Sequence, residues 1–258
     1  MMMWKRKAQV VTGGRQIEYP ELHLEFRVEF DEEADANVAE IEIFNLTEDT
    51  INRIKRGNDI TINAGYKDDV GNLFLGKIDE VHTVRDGTER ITQIESTDTT
   101  EEWMQSRINK TYKEGIRASQ ILRDILDKSG LEIGRIDLPE DVIYRSGKSI
   151  SDTIQGAVKD IVTDAGAKLY INAGTIFISQ KDYGRDVGVV LNKDTGLIGS
   201  PTRIDDEEGA EWEVRCLLNH RIGPGAYVIV ESKIANGTYR VIRGEHDGTD
   251  WVTTVEVG

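Results

Sequence analysis

The sequence has little of several residue types that define other protein classes. It contains a single cysteine, Cys216, which excludes an internal disulfide and a multi-cysteine zinc or iron–sulfur site. Proline occurs only 4 times in 258 residues, whereas glycine occurs 25 times. No apolar run reaches the roughly 18 residues of a membrane-spanning helix, and the segment after the basic residues 1–7 is too polar for a signal peptide. We therefore expect that the protein has no membrane anchor and that it is synthesised in a cytoplasm.

Positive charge is also scarce. Lys and Arg number 32 against 47 Asp and Glu, so the formal net charge is −15. A nonspecific nucleic-acid binder needs cations that displace phosphate counterions, and adhesion to an anionic membrane needs cations too. The composition argues against both classes. The acidic run at 205–208 is expected to be a solvated loop.

Alternation of apolar and polar residues is the main structural pattern. In segment 22–30 every even position is apolar and every odd position polar, which predicts a strand with one buried face. Asp86-Gly87 is typical of a hairpin turn. A short helix, capped by Thr47 and ended by Gly57, is also predicted. Further N-terminal strands are predicted at 40–43, 60–66, 73–84 and 90–96.

The middle of the chain has a different pattern. Apolar residues recur at helical spacing in 118–129 and 151–165, and each stretch ends at a glycine. Two short strands are expected to follow the second helix, at 168–171 and 175–179.

The C-terminal part returns to strands. They are expected at 211–218, 226–232, 238–245 and 251–257, with turns at Asn236-Gly237 and Asp247-Gly248.

The predicted fold is therefore mainly β with an α+β insert. Strand-rich segments at 1–106 and 186–258 flank a small α+β domain at 107–185.

No motif that carries chemistry stands out. Gly147-Lys148-Ser149 is not a phosphate-binding loop, because Val142 stands where that loop needs glycine. A turn with a helix cap at Ser149 or Ser151 is favoured instead. With 47 acids, a pair of carboxylates suited to glycoside hydrolysis carries no information. The absence of nucleophile-elbow, zinc-peptidase and dinucleotide motifs favours a non-enzyme with no catalytic residue, metal or cofactor.

Single histidines and the cysteine are weak candidates. The four histidines are isolated in the sequence, and no pair has the spacing of a helical metal site. His23 is expected to be solvated, while His246, between two acids at a hairpin end, is a candidate base. Cys216 shares a strand face with Trp212 and Val214 and is expected to be a buried structural thiol.

An ordered set of segments resembles one known family. These segments are Asn63-Ala64-Gly65-Tyr66 with Phe74-Leu75-Gly76-Lys77-Ile78, the strand at 89–98, Lys110-Thr111-Tyr112 with Ala118-Ser119-Gln120-Ile121-Leu122, the segments 195–202 and 213–219, and Tyr239-Arg240-Val241 before His246-Asp247-Gly248 and Trp251. Together they resemble the hub proteins of phage tail baseplates, of the late control protein D type, and the related tail-tip proteins. The resemblance covers nearly the whole chain.

The resemblance implies a structural protein of the virion tail baseplate or tip, made in the host cytoplasm. Such hubs form homotrimeric rings with two similar small β-barrels per chain, which the resemblance places here at 1–106 and 186–258 on either side of the α+β domain. Two barrels in each of three chains imply six near-equivalent positions between a sixfold tail tube and a threefold spike. The implied partners are the tail tube protein, the spike or tip protein, other baseplate proteins and, as a further candidate, the tape measure protein. DNA is implied only as cargo, and an acidic channel wall would repel it. Larger members add a lysozyme, peptidase or fibre region, which is expected here on another polypeptide because this chain stops at Gly258.

Ring contacts are expected at four strand segments, 41–44, 60–66, 213–218 and 226–230, on the reasoning that strand edges associate. The residues predicted for this interface are Ile41, Ile43, Phe44, Ile60, Ile62, Tyr66, Val214, Cys216, Leu218, Val228 and Val230. Their alternation fits the interior of a barrel equally well.

Two alternative functions stay open. A tail-associated cell-wall hydrolase would clear a peptidoglycan suspension. A carbohydrate-binding tip module would need an exposed aromatic platform, yet aromatic residues make up only 7% of the chain.

Overall fold

The computed structural model describes residues 5–180, 183–204 and 209–258. Two compact units are present: the first contains the chain up to Asp31, Asn37–Asp98 and Gly184–Gly258, and the second contains Glu32–Ala36 and Thr99–Tyr183. The acidic run at 205–208 lies outside the described residues. Within these ranges, none of the helices has the length and apolar character needed to span a bilayer.

The N-terminal part of the first unit confirms the predicted alternation. Its elements are β1 (Arg6–Thr12), β2 (Arg15–Tyr19), β3 (Leu24–Asp31), β4 (Val38–Phe44), α1 (Glu48–Arg53), β5 (Asp59–Tyr66), β6 (Asp69–Asp86) and β7 (Glu89–Thr97). In β3 the even-numbered residues are buried and the odd-numbered residues face outward. Thr47 caps α1 as predicted, because its Oγ1 accepts the Thr50 N–H at 3.3 Å. The helix ends at Arg53, before Gly57, which lies in the loop to β5 with φ 82°.

The second unit combines helices with short strands. Its elements are α2 (Glu101–Gln105), β8 (Arg107–Tyr112), β9 (Ile116–Arg117), α3 (Ala118–Leu126), β10 (Glu132–Ile136), β11 (Ile143–Tyr144), β12 (Lys148–Thr153), α4 (Ile154–Asp164), β13 (Ala167–Asn172) and β14 (Thr175–Gln180). The helix predicted from Ser151 begins at Ile154, because the preceding residues form β12, which pairs with β8 as an antiparallel strand. Its cap is Thr153, whose Oγ1 accepts the Gly156 N–H at 3.0 Å, so the predicted caps Ser149 and Ser151 are wrong.

The C-terminal part returns to the first unit. Its strands are β15 (Arg185–Leu191), β16 (Thr202–Arg203), β17 (Trp212–Leu217), β18 (Ala226–Glu231), β19 (Asn236–Asp247) and β20 (Val252–Val257). The turn predicted at Asn236-Gly237 is wrong, since both residues belong to β19. The chain reverses direction just before these residues, at 232–235, where the Ser232 N–H donates to Ala235 O at 3.0 Å.

One sheet joins the strands of the first unit. Its order is β16-β17-β20-β19-β3-β4-β7-β6-β5-β1-β2, and β15 and β18 branch from β19. The mainly β fold with a small α-containing insert is confirmed. Two separate closed barrels are not found, because β19 pairs with β3 and no ladder of the described strands closes on itself. Alternation of apolar and polar residues specifies which face of a strand is buried, but it does not specify which other strand lies beside it. The domain boundaries near 106 and 185 stay a prediction.

Two apolar cores lie in the first unit. One lies beneath β1–β7 and also includes Trp251, and the other fills the C-terminal half around Val214 and Val228. Trp251 is buried with φ 62°, a left-handed conformation that is rare for a large side chain. Its carbonyl accepts the Leu218 N–H at 2.9 Å and the Tyr66 hydroxyl at 3.3 Å. The C-terminal hairpin is thus anchored in the N-terminal core.

Candidate assembly surface

The outward side of β3, β4, β7 and β6 carries a dense set of carboxylates. We call this surface the acidic face and define it by Glu25, Arg27, Glu29, Glu40, Glu42, Glu80 and Glu95. The strand register places Arg27 opposite Glu40, Glu40 opposite Glu95, and Glu95 opposite Glu80. Like charges directly opposite each other in a sheet are destabilising. The fold therefore contains a row of carboxylates whose mutual repulsion lowers its stability.

Neutralisation of this face is incomplete. Arg27 pairs with Glu245 on β19 and with Glu29, at 3.3 Å from its Nε. The hydrogen bond that Arg27 donates to the Glu245 carboxylate raises the pKa of Arg27 above its ordinary value. In the row itself, neither Glu40 nor Glu95 has a cation within ion-pair distance among the residues that the structure describes. The face therefore stays strongly negative at neutral pH.

A neighbouring row has the same character. Register pairs Glu25 with Glu42, Glu42 with Gln93, and Gln93 with His82. Gln93 Nε2 donates to Glu42 Oε1 at 2.6 Å. An open cavity of about 460 Å³ lies over both rows. Such a surface offers mainly hydrogen-bond acceptors, so it repels polyanions such as DNA.

No metal centre accompanies these acids. In the described ranges, no group of three or more His, Cys, Asp or Glu side chains has the arrangement of a metal site.

A second polar cluster joins the two halves of the sheet. Asp69, at the start of β6, accepts hydrogen bonds from Arg221 at 2.6 and 2.8 Å, and its Oδ1 lies 3.0 Å from His220 Nε2. Arg221 first and His220 second lower the pKa of Asp69 to about 2. The His220 ring packs on Gly71 so closely that a Cβ there would lie 2.1 Å from Nδ1. The loop before β18 is therefore fixed on the β5–β6 hairpin.

The predicted interface residues fill the chain's own interior. Ile41, Ile43, Ile60, Ile62, Tyr66 and Leu218 lie in the N-terminal core, and Val214, Cys216, Val228 and Val230 lie in the C-terminal core. Phe44 is half-buried beside the His23 ring, with 4.7 Å between the ring centroids. The four strands that carry these residues all have neighbours on both sides. Whether copies of the chain meet at these strands stays a prediction.

Of the histidines and the cysteine considered in the sequence analysis, His246 and Cys216 are buried, whereas His23 is exposed. His246 is 2% exposed, and burial lowers its pKa to about 3, so the candidate base is a neutral core residue. Cys216 is buried as predicted, and burial raises the pKa of its thiol to about 12. His23 is exposed and lies 3.0 Å from Glu25.

The acidic face and the Asp69 cluster were both missed by the sequence reasoning. Alternation did mark Glu40, Glu42 and Glu95 as outward positions. It gave no signal that they would lie side by side, because lateral alignment depends on strand order and register. Asp69 and His220 are 151 residues apart, and no local pattern links them.

A family model described as baseplate hub gp41 matches residues 9–247. A search of curated proteins finds no match to the sequence.

Several solved structures share the fold. The 43 kDa tail protein of prophage MuSo2 from Shewanella oneidensis is 13% identical, with a TM-score of 0.72 over 98% of both chains. A tail protein from Neisseria meningitidis MC58 is 8% identical, with a TM-score of 0.71 over 98% of this chain and 96% of the other. The E. coli c3393 protein, a component of the type VI secretion system described as similar to T4 tail proteins gp27 and gp5, is 12% identical. Its TM-score is 0.66, with coverage of 96% and 76%.

Proposed function

The chain belongs to the baseplate hub gp41 family, and from that membership we propose that it forms a trimeric ring in the baseplate or tip of a phage or phage-like tail. Members of this family are structural components of the tail, so in this proposal the chain acts through its shape and its self-association. In this proposal the ring joins the sixfold tail tube to a threefold spike and leaves a channel for DNA. Its partners are the tube protein, the spike or tip protein and other baseplate proteins, with the tape measure protein as a further candidate.

The single observation that carries the ring proposal is the composition of the sheet. Its N-terminal half contributes the seven strands β1–β7, its C-terminal half contributes the six strands β15–β20, and the two halves are joined at β3 and β19. Each half has its own apolar core. Three chains therefore bring six sheet halves to a ring, which suits a sixfold partner on one side and a threefold partner on the other.

The acidic face supplies the channel wall in this proposal. The opposite side of the same strands packs on the chain's own cores, which leaves the carboxylates as the uncovered surface. A wall of like charge lets DNA pass without holding it, because it offers no cations to replace phosphate counterions. The three chains carry a formal charge of 3 × −15 = −45. A channel lined by neutral or basic residues would contradict this assignment.

The ring can be tested in the particle. Tails carrying an epitope-tagged chain are imaged by electron microscopy with threefold averaging of the tip. We expect the tag at the tip and three copies around an axial channel. Label along the tube, or absence of the chain from purified tails, would refute the proposal. Clearing of a peptidoglycan suspension by the purified chain would support the hydrolase alternative instead.

A further inference from the structure

The outward side of β1, β5 and the first part of β6 differs in composition from the acidic face. We call it the neutral face and define it by Gln9, Val11, Thr61, Asn63, Asn72 and Leu75. Register aligns Gln9, Asn63 and Asn72 in one row across the three strands, and the other three residues form the next row. Charged residues make up 31% of the chain, yet these two rows contain none. Leu75 is 42% exposed. The centre of a protein–protein interface is likewise depleted in charged residues, so the neutral face has the composition of such a centre.

Hydrogen bonds link the amides of the neutral face into a chain. Asn72 Nδ2 donates to Asn63 Oδ1 at 3.3 Å, and Asn63 Nδ2 donates to Gln9 Oε1 at 3.2 Å. Gln9 Nε2 donates in turn to Glu18 Oε1 on β2 at 3.4 Å. An amide side chain has two N–H donors and two lone pairs, so Asn63 and Gln9 retain hydrogen-bonding capacity beyond this chain. Because the amides are held in place before a partner arrives, docking on them costs little side-chain freedom.

Cations lie at one end of the neutral face, and we call Lys5, Lys7 and Lys67 the lysine end. Lys7 lies opposite Gly65, in the row next to the amides. The Lys67 N–H donates to Lys5 O at 2.9 Å, which places these two lysines side by side. Among the described residues, neither Lys5 nor Lys7 has a carboxylate within ion-pair distance, and Lys67 lies 3.8 Å from the exposed carboxylate of Asp68. In a chain with a formal net charge of −15, the lysine end is a local site of positive charge.

The size of the face indicates how much a partner must add. At the end away from the lysines, Lys77 Nζ lies 2.9 Å from Asp59 Oδ1, so the charges there compensate each other. Strands β2, β1, β5 and β6 span roughly 19 Å at about 4.8 Å per strand, and three rows of outward residues span roughly 20 Å. The product, roughly 400 Å², is about half of the ~800 Å² that each partner buries in a stable interface. A stable contact therefore extends past the neutral face, and the lysine end is its charged margin.

We infer that the neutral face binds a second protein of the tail, whose docking surface is uncharged at its centre and carries carboxylates at the margin that meets Lys5 and Lys7; the inference rests on the proposed function. A charged group at the centre of the contact would lose its hydration and find no counter-charge. Carboxylates at the margin fix the orientation of the partner through complementary charge. A few lysines beside a neutral surface do not suit a nucleic acid or an anionic membrane. A second copy is disfavoured, because its acidic face lines the channel in the proposed ring.

Zero-length cross-linking tests the chemistry of the partner. In purified tails, a water-soluble carbodiimide joins a lysine amine to a carboxylate in direct contact, and mass spectrometry of the joined peptides identifies both residues. We expect Lys5 or Lys7 to be joined to Asp or Glu of a different protein. Coupling only within this chain or to a second copy, or no coupling of these lysines, would overturn the inference. Acetylation of Lys5 and Lys7 that rises only after nuclease or detergent treatment of the tails would identify a nucleic acid or a lipid surface, and it would overturn the inference as well.

Charge substitutions test the surface itself. Asn63→Asp adds a carboxylate at the centre of the neutral face at nearly constant side-chain size, and Asn52→Asp makes the same change at an exposed position of α1. Lys7→Glu reverses a charge at the lysine end, and Lys55→Glu does so at an exposed lysine before β5.

The measured quantity is the ratio of the cross-linked partner to this chain in purified tails. It should fall by about fivefold or more in Asn63→Asp and Lys7→Glu and stay at the wild-type value in Asn52→Asp and Lys55→Glu. Asn63→Asp also loses its hydrogen bond to Gln9, so Lys7→Glu, at an exposed side chain, keeps the test independent of folding. A wild-type ratio in either variant of the surface, or an equal fall in the controls, would overturn the inference.

The docking inference and the proposed function fail in different ways. Tails that contain this chain at the tip and keep the wild-type protein composition with Asn63→Asp and Lys7→Glu would refute the docking surface and leave the hub assignment intact. Absence of the wild-type chain from purified tails would refute the hub assignment, and this inference with it.

Discussion

Acid should destabilise the first unit through one buried imidazole. His246 lies on β19 between β3 and β20, with Nδ1 2.8 Å from Thr253 Oγ1 and the Phe30 ring centroid at 4.9 Å. Burial is the main cause that lowers its pKa from 6.5 to about 3. The folded chain therefore keeps His246 neutral at pH values at which the unfolded chain protonates it.

The magnitude follows from this difference in pKa. Below pH 6.5 the unfolded state binds one more proton than the folded state, so the free energy of unfolding falls as the pH falls. The slope is about 1.4 kcal/mol per pH unit, and it vanishes once the pH passes below the folded pKa. Relative to neutral pH, the loss of unfolding free energy is roughly 2 kcal/mol at pH 5 and roughly 4 kcal/mol at pH 3.

Urea unfolding of the wild type and of His246→Gln between pH 7.5 and 4.5 measures this contribution. Glutamine retains a polar group near Thr253 but does not titrate, so the variant should be less stable at pH 7.5 and should lose less stability on acidification. His82→Gln is the control, because that histidine is exposed and its replacement should leave the wild-type slope unchanged. The range stops well above the pKa of Asp69, which is about 2. Parallel pH profiles of the wild type and His246→Gln would refute the reasoning.

Three further sets of substitutions test other parts of the first unit by chemical denaturation. Trp251→Ala should lower the free energy of unfolding by about 3–5 kcal/mol, because it removes a buried aromatic ring. Trp251→Gly should be about 1 kcal/mol less destabilising than Trp251→Ala, because glycine tolerates φ 62°. A glycine variant less stable than the alanine variant would contradict backbone strain at this position. Glu40→Gln or Glu95→Gln should stabilise the fold by about 0.2–1 kcal/mol by relieving like-charge repulsion, whereas Glu245→Gln, which loses its contact with Arg27, should not. Stabilisation by all three would show that the row is not special. Asp69→Asn should cost about 1–3 kcal/mol by weakening its bonds to Arg221 and His220, whereas Asp68→Asn, at an exposed neighbour, should cost nothing measurable; equal effects would place the cluster outside the stabilising contacts.

Local patterns in the sequence were sufficient for most individual elements. The alternation in β3 and the helical spacing in α3 and α4 predicted those elements because side-chain period depends only on a strand's or helix's own geometry. Thr47 was recognised as a cap for the same local reason. Ser151 was placed in a helix because nothing in its neighbourhood shows that β8, some 40 residues earlier, takes it as a strand partner.

Residue patterns alone were enough to specify the buried face of strands such as β3, the mainly β class and, through the order of the segments, the family. Strand neighbours were decided only by the tertiary structure, because backbone hydrogen bonds join any two strands regardless of their distance along the chain. The pairing of β19 with β3 merged the two halves into one sheet. That same pairing order lined up Glu40, Glu95 and Glu80, so the candidate assembly surface exists only once long-range register is set.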